Sequence, residues 1–445
     1  MFWLTFILSL VCVYNSIPIA KVPNHIIVGD MYNNLFNVTQ DQCICEMIKV
    51  NDSISALNYF SSNQTCQLFR SNISTIYIEF YSNSTFVFIN QSSISILNIE
   101  EYSCNLFLDQ TNYPGGTASS SVAVTDVNND NKPDIIVANY GSNDVSVLLN
   151  TGNGTFNAQI TYSVGTGPWS VSVVDVNNDN KPDITVANHD SSTVSVLLNT
   201  GNGTFNAQTT YLVGAYLLSV AVTDVNNDNK SDIIVANYGS NTVGILLNTG
   251  NGTFNPQITY SVGIGPCSVA VVDVDNDNKS DIIVANYQSN TVGVLRNAGN
   301  GIFHAQTTYS VSPGPISVAV VDVNNDSQPD IIIANYDSNT ISVLLNTDNG
   351  SFNAQATYSV GTGPWSVSVV DVNGDSKPDI TIANYGSNNV GILLNTVNGT
   401  FNAETTYSVG AGPRSVVVVD VNNDNKPDIV VAKNSSNAIG VLLHC

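Results

Sequence analysis

Oxygen-bearing side chains recur along this chain at a fixed spacing. A nine-residue segment, Asp-Val-Asn-Asn-Asp-Asn-Lys-Pro-Asp or a near variant, begins at Asp126, Asp175, Asp224, Asp273, Asp322, Asp371 and Asp420, a period of 49 residues. Positions 1, 3, 5 and 9 of the first copy are Asp126, Asn128, Asp130 and Asp134. The same places fall to Asp175, Asn177, Asp179 and Asp183, to Asp224, Asn226, Asp228 and Asp232, and to Asp273, Asp275, Asp277 and Asp281. They recur as Asp322, Asn324, Asp326 and Asp330, as Asp371, Asn373, Asp375 and Asp379, and as Asp420, Asn422, Asp424 and Asp428. With a main-chain carbonyl near Lys132 and water, such a set fills the roughly seven oxygen positions that Ca2+ accepts. Transition metals would want His or Cys, which the segment lacks. The expectation is up to seven Ca2+ sites, the fourth copy holding the ion most tightly because Asp275 replaces Asn there. Three carboxylates in one bend repel one another, so the ion's expected role is structural. Seven equivalent bends are a poor way to build one catalytic centre.

Such bends must be held by the elements around them. Within one period, residues 122–126, 135–139, 145–150 and 155–164 read as four strands, rich in β-branched residues and separated by Gly, Asn, Asp and Pro. Four short antiparallel strands at a period of this length predict a β-propeller with seven blades, an all-β fold. The acidic bend is the first joint of each unit, Asn139–Asn143 the second, Thr151–Gly154 the third and Gly165–Trp169 the fourth. Strand alternation puts joints one and three on one face and joints two and four on the other. Phe107 and Tyr113 align with Phe156 and Tyr162, so residues 106–114 read as a fourth strand without its first three, while the last copy stops after its third. The ends should complete one blade and close the ring, leaving no sheet edge. Cys104 and Cys445 then fall two positions apart in one tight turn and are expected to form a disulfide.

The chain carries 35 acidic and 12 basic residues, a net charge of -23, with most of the acids in the seven bends. That balance excludes nucleic acid and anionic membranes as expected partners. Residues 1–20 read as a secretory signal, and no later run is long and apolar enough to span a bilayer. Sequons at Asn37, Asn51, Asn63, Asn72, Asn83 and Asn90, and again at Asn153, Asn202, Asn251, Asn349 and Asn398, agree with export. Those at Asn229, Asn278 and Asn325 lie in the acidic bends and are expected to be poorly used.

The repeat resembles the FG-GAP and VCBS families, the former known from integrin α-subunit propellers, through Asp-x-Asn-x-Asp-x-x-x-Asp-Ile, Val-Leu-Leu-Asn and Asn-Gly-Thr-Phe over residues 105–445. Departures are Asn157 after Phe156, Gly167-Pro168, and Asn131 or Ser327 where position 6 of the loop would be Gly. The resemblance implies a calcium-binding propeller that serves adhesion or ligand binding, and the same repeat type includes lectins. Residues 21–104 form a separate expected module, small and α+β, with a possible helix at 41–49. Its Cys43-Ile-Cys45, Ala56–Phe60 and Thr65–Phe69 resemble a PAN/apple-like core, which implies that Cys66 pairs with Cys43 or Cys45 in a protein- or carbohydrate-binding unit. Cys267 has no obvious mate.

Glycans on the third joints would obstruct the calcium face, which leaves the other face for a partner. That face carries Tyr140, His189, Tyr238, Tyr287, Tyr336 and Tyr385 from the second joints. A fourth-joint position changes from Trp169 to Leu218, Cys267, Ile316, Trp365 and Arg414. Internal variation on a fixed scaffold and exposed aromatics suit an extracellular protein or glycan ligand. His25, His189, His304 and His444 sit at unrelated repeat positions and no nucleophile motif stands out, so no catalytic activity is expected. The reading is a secreted monomer, a binding protein first, a lectin second and an enzyme last.

Overall fold

The computed structural model describes residues 106–445 throughout and, before them, the backbone of seven strands. The chain divides into two compact units, Met1–Cys104 with Cys445, and Asn105–His444. In the first, a five-stranded antiparallel sheet has the spatial order Ala20–Pro23, Ser84–Phe88, Ile54–Phe60, Thr65–Arg70, Met31–Leu35. A separate pair joins Ile26–Val28 to Tyr77–Glu79. The expected helix at 41–49 lies outside the described residues.

The second unit is a seven-bladed propeller of four-stranded antiparallel sheets. Blade one runs Ser119–Thr125, Asp134–Asn139, Asp144–Leu148 and Ile160–Ser163 from the axis outward. The second strand of every blade is buried along its whole length. It reads as an unbroken apolar run because each blade is covered on both faces by its neighbours. Ile135 and Val137 pack towards Val421, Val430 and Ile439 of blade seven, while Ile136 and Ala138 pack towards Val171, Ile184 and Val186 of blade two. A core of this kind fills each gap between neighbouring blades.

The expected ring closure is present. Thr111–Pro114 pairs with Ala438–Leu442 as the outer strand of blade seven, with Tyr113 opposite Ile439, and Phe107 bridges His444. A ring of edge-to-face pairs crosses every blade junction, from Tyr162 with Phe205 to Tyr407 with Phe107 and Tyr113 with Phe156, at 5.3–5.6 Å between centroids. The seam is therefore packed like the other junctions.

One expected strand is corrected. Residues 155–164 are two elements, because Thr155–Phe156 turns back on Asn150–Gly152 in its own hairpin and only Ile160–Ser163 joins the blade. The Asn157 N–H donates to the Leu149 carbonyl and ends that hairpin.

Candidate functional site

Each acidic bend joins the first strand of a blade to the second, and its carboxylates are wrapped by its own backbone. Asp126 Oδ1 accepts the N–H groups of Asn128 and Asp130, both at 3.2 Å, and Oδ2 accepts that of Asn131 at 2.7 Å. Asn128 Oδ1 accepts from Asp130 N–H, and Asp130 Oδ1 from Lys132 N–H, both at 3.0 Å. This coil needs left-handed backbone at positions 4 and 6, where Asn129 and Asn131 have φ of 59° and 62°. Asparagine tolerates that region better than other residues with a Cβ, and Ser327 and Ser376 adopt it too, at 68° and 64°. The 2.7 Å bond from position 6 to the first aspartate recurs under Asp175, Asp224, Asp273, Asp322, Asp371 and Asp420.

The ninth-position carboxylate is the anchor. Asp134 is fully buried, its Oδ2 accepting from Val127 N–H at 3.0 Å and its Oδ1 from Asn150 N–H at 2.8 Å. Burial pushes its pKa up to about 6, the two backbone donors oppose the rise, and the charges of Asp130 and Asp126 add to it. Asp183, Asp232, Asp281, Asp330 and Asp428 are held the same way at about 6, and Asp379 is raised as well. In blade four, one oxygen each of Asp273, Asp275 and Asp281 lies within 4.8 Å of the others, and Asp275 Oδ1 is buried without a hydrogen-bond partner. Convergent hard oxygens with an orphaned acceptor fit a divalent cation of the Ca2+ type.

The surroundings modulate that charge in ways the ligand positions alone do not reveal. A lysine at position 7 meets the position-5 carboxylate in blade one, Lys132 to Asp130 at 3.4 Å, and likewise in blades two, three, four and six. Blade five has Gln328 there. In blade four Arg296 stands where the other blades carry leucine, 3.8 Å from Asp275. The extra carboxylate of blade four is thus offset, while blade five keeps three aspartates and no lysine.

An asparagine ties these bends together. Asn248 is 4 % exposed. Its Nδ2 donates to the carbonyls of Ser231 in its own bend and Val176 in the bend of the preceding blade, both at 2.8 Å. Its Oδ1 accepts the Gly250 N–H. Asn150, Asn199, Asn297, Asn346 and Asn395 make the same two-bend link. In blade seven His444 takes the place, with Nε2 3.0 Å from the Val372 carbonyl. This latch was missed in the sequence although its signal, an Asn at the same place in six of the seven repeats, was visible.

The other face centres on the axis. Each first strand carries a β-bulge near its start, as between Pro168 and Ser170. A bulge breaks the alternation of side chains, so Trp169 and Ser170 both line the axial cavity, of about 120 Å³. Two corrections follow. Trp169, Trp365 and Arg414 belong to first strands, not to fourth joints, and they fill the axial mouth rather than an open surface. The Arg414 guanidinium lies 3.7 Å from the Trp169 ring centroid and 4.6 Å from that of Trp365. Tyr140 and His189 pack on Trp169, and Tyr336 and Tyr385 on Trp365. Tyr238 and Tyr287 stand apart from this cluster, bridging blades through Gln288 at 2.8 Å and Asp337 at 3.0 Å.

Below the mouth, seven serines from Ser121 to Ser415 recur at the repeat interval. Each Oγ accepts the N–H of the valine following the equivalent serine in the next blade, from Ser121 to Val171 at 3.3 Å round to Ser415 to Val122 at 3.2 Å. Cys267 is a free, buried thiol in the mouth ring, and burial pushes it up to about 12, so it is inert. Cys445 is disulfide-bonded; Cys104, its expected partner, lies outside the described residues, as do the side chains of Cys43, Cys45 and Cys66. The third-joint asparagines Asn153, Asn202, Asn251, Asn349 and Asn398 are all exposed. Among the described residues no helix is long and apolar enough to cross a membrane.

Comparison with known proteins places this geometry. No curated protein matches the chain. Among solved structures, BBS1N in complex with ARL6DN is similar at 13 % identity over 76 % of this chain and 97 % of that one, with a TM-score of 0.57. A streptogramin B lyase is similar at 14 % identity over 76 % and 98 %, TM-score 0.56. An inactive virginiamycin B lyase from Staphylococcus aureus with quinupristin is similar at 14 % over 76 % and 99 %, TM-score 0.55. At such identities the likeness concerns the fold alone. The model of the FG-GAP-like repeat matches residues 126–186, 175–235, 224–284, 273–333, 322–382 and 371–431 and stops short of the N-terminal unit, leaving its apple-like resemblance without support. With six overlapping matches across most of its length and a closed seven-bladed ring, the chain belongs to the FG-GAP-like repeat family.

Proposed function

We propose that the chain is a secreted, calcium-binding propeller that acts outside the cell as an adhesion or ligand-binding protein, without catalytic activity. The supporting observation is the buried ninth-position aspartate, held beside at least two further carboxylates in every blade. Asp126, Asn128, Asp130 and Asp134, and their counterparts, would hold the ion. Bound calcium supplies positive charge that offsets the repulsion among these carboxylates. The asparagine latch then transmits the rigidity of each bend to the next.

The face of second joints is the binding surface in this reading, because the five exposed third-joint sequons lie on the opposite face. BBS1N is seen in complex with ARL6DN and a virginiamycin B lyase with quinupristin, so propellers of this fold hold partners of different kinds. The half-buried aromatic cluster around Trp169 and Trp365 also suits a sugar ring, which keeps a lectin as the second reading. Calcium titration of the mature chain by calorimetry and thermal melting tests the proposal. Binding heat and a raised melting temperature support it; a flat titration with an unmoved melting temperature overturns it. A glycan array then separates sugar from protein recognition.

A further inference from the structure

The whole molecule is strongly acidic, yet its axial cavity has no acidic lining residue. Its mouth holds Arg414, 8 % exposed, with no ion pair or hydrogen bond among the described residues and a buried Nε that finds no acceptor. A buried guanidinium without a carboxylate is costly, and its Nε–H has lost water without gaining an acceptor. The tryptophans cover its faces through cation–π contact, and faces are not where its donors point. The five N–H groups of an arginine lie in the guanidinium plane.

The lumen beneath repeats the same imbalance. The seven serine hydroxyls each accept a neighbour's backbone N–H, and no acceptor for their own protons occurs among the described residues. Seven O–H groups are therefore available to donate into the cavity. A cation at the mouth above a ring of donors, with no anionic wall, is a site for negative charge.

We propose that the axial cavity binds a compact oxyanion, a carboxylate or a phosphate group, through Arg414 and the serine ring. A guanidinium edge pairs with two oxygens of either group, and a cavity of about 120 Å³ admits a group of that size. Blade seven alone supplies the cation, since the mouth position is Ser120, Trp169, Leu218, Cys267, Ile316 or Trp365 in the other six. It is independent of the metal loops, which lie on the opposite face.

Tryptophan emission reads this site directly, because two of the chain's three tryptophans flank Arg414. The mature protein is titrated in Ca2+-free buffer at constant ionic strength with acetate, inorganic phosphate and, as a control for bulk charge, chloride. Each variant is treated alike. The expected result is a saturable change in emission with acetate or phosphate at millimolar concentration, and the preferred arm identifies which oxyanion the site takes. Arg414→Ile should abolish it; the fold carries Ile316 at the equivalent position of blade five, so this variant should assemble. Ser317→Ala, which leaves the arginine in place, should weaken it several-fold. No saturable response in the wild-type protein, or an unchanged response in Arg414→Ile with intact far-UV circular dichroism, overturns the proposal. A wild-type response to chloride equal to those of acetate and phosphate overturns the assignment to an oxyanion.

Discussion

Replacing Asn248 by alanine removes one latch between two acidic bends. The side chain makes three bonds, two from Nδ2 to the Ser231 and Val176 carbonyls and one from Gly250 N–H to Oδ1, each at 2.8 Å. Alanine keeps the strand but leaves both carbonyls without that donor, in a site where Asn248 is 4 % exposed. A buried acceptor stripped of its partner costs about 1–3 kcal/mol. Gly250 is half-buried, so its N–H regains water and adds little. The buried Val176 carbonyl bears that cost and the half-buried Ser231 carbonyl only part of it, for a loss of about 2–4 kcal/mol. Asn255→Ala is the control, since Asn255 is exposed and bonds through its backbone to the Leu247 carbonyl; exposed substitutions of this kind stay within about 0.5 kcal/mol. Urea denaturation followed by circular dichroism, with equal slopes verified, measures both. Because Val176 follows Asp175, the variant should also loosen the bend of blade two and lower the stoichiometry or affinity of calcium binding. Equal midpoints for Asn248→Ala and Asn255→Ala would refute the latch.

Calcium at tenfold above its dissociation constant should add about 1.4 kcal/mol per site, so a Ca2+-loaded protein should melt well above one in EDTA, as differential scanning calorimetry will show. In EDTA the pH trend should run the other way from a typical acid denaturation. The ninth-position aspartates bind protons with a pKa of about 6 in the fold against 3.8 in the unfolded chain, so their stabilising effect is complete below about pH 4 and is lost as pH rises through 6. Melting temperatures from pH 4 to 7 should fall in EDTA and lose that fall in saturating Ca2+. Arg296→Leu, which restores the residue of the other blades, should strengthen calcium binding at blade four several-fold in a titration of the variant. Tyr113→Ala and Tyr260→Ala should cost the same, about 3–5 kcal/mol, because each pairs edge-to-face with a phenylalanine of the next blade. A much smaller loss at Tyr113 in urea titrations would mean that the seam is weaker than the other junctions.

The number of blades, the strand order and the closure were legible because each follows from the period and from the two incomplete ends. Residues 106–114 and Leu443-His444 each lacked what the other had, and chain geometry allows one solution. The acidic bends were legible for a related reason: their oxygens are local, set by spacing within nine residues. What escaped were terms set by tertiary neighbours. Arg296 looked like one variation among leucines until the fold put it beside Asp275. Trp169 was assigned to a joint because nothing in Gly-Thr-Gly-Pro-Trp announces a bulge, and without the bulge the residue would not face the axis. The split of residues 155–164 came from competition between two pairings, Phe156 with Asn150 and Tyr162 with Val145, each too short for a periodic signal.

Repetition itself separates stability from specificity in this molecule. A position that is the same in all seven blades, such as the serine ring, can hold the wheel together but presents one chemistry seven times. A single ligand on the axis has no such symmetry, so discrimination has to come from places where the copies differ. On the face away from the acidic bends, the mouth position runs through hydroxyl, thiol, aliphatic, indole and guanidinium. Those side chains converge on one axis only because the ring is closed and the bulge turns them inward. Seven ordinary blades thus compose one asymmetric mouth, and the sole cation in it, Arg414, is the group with the strongest unmet demand for a partner.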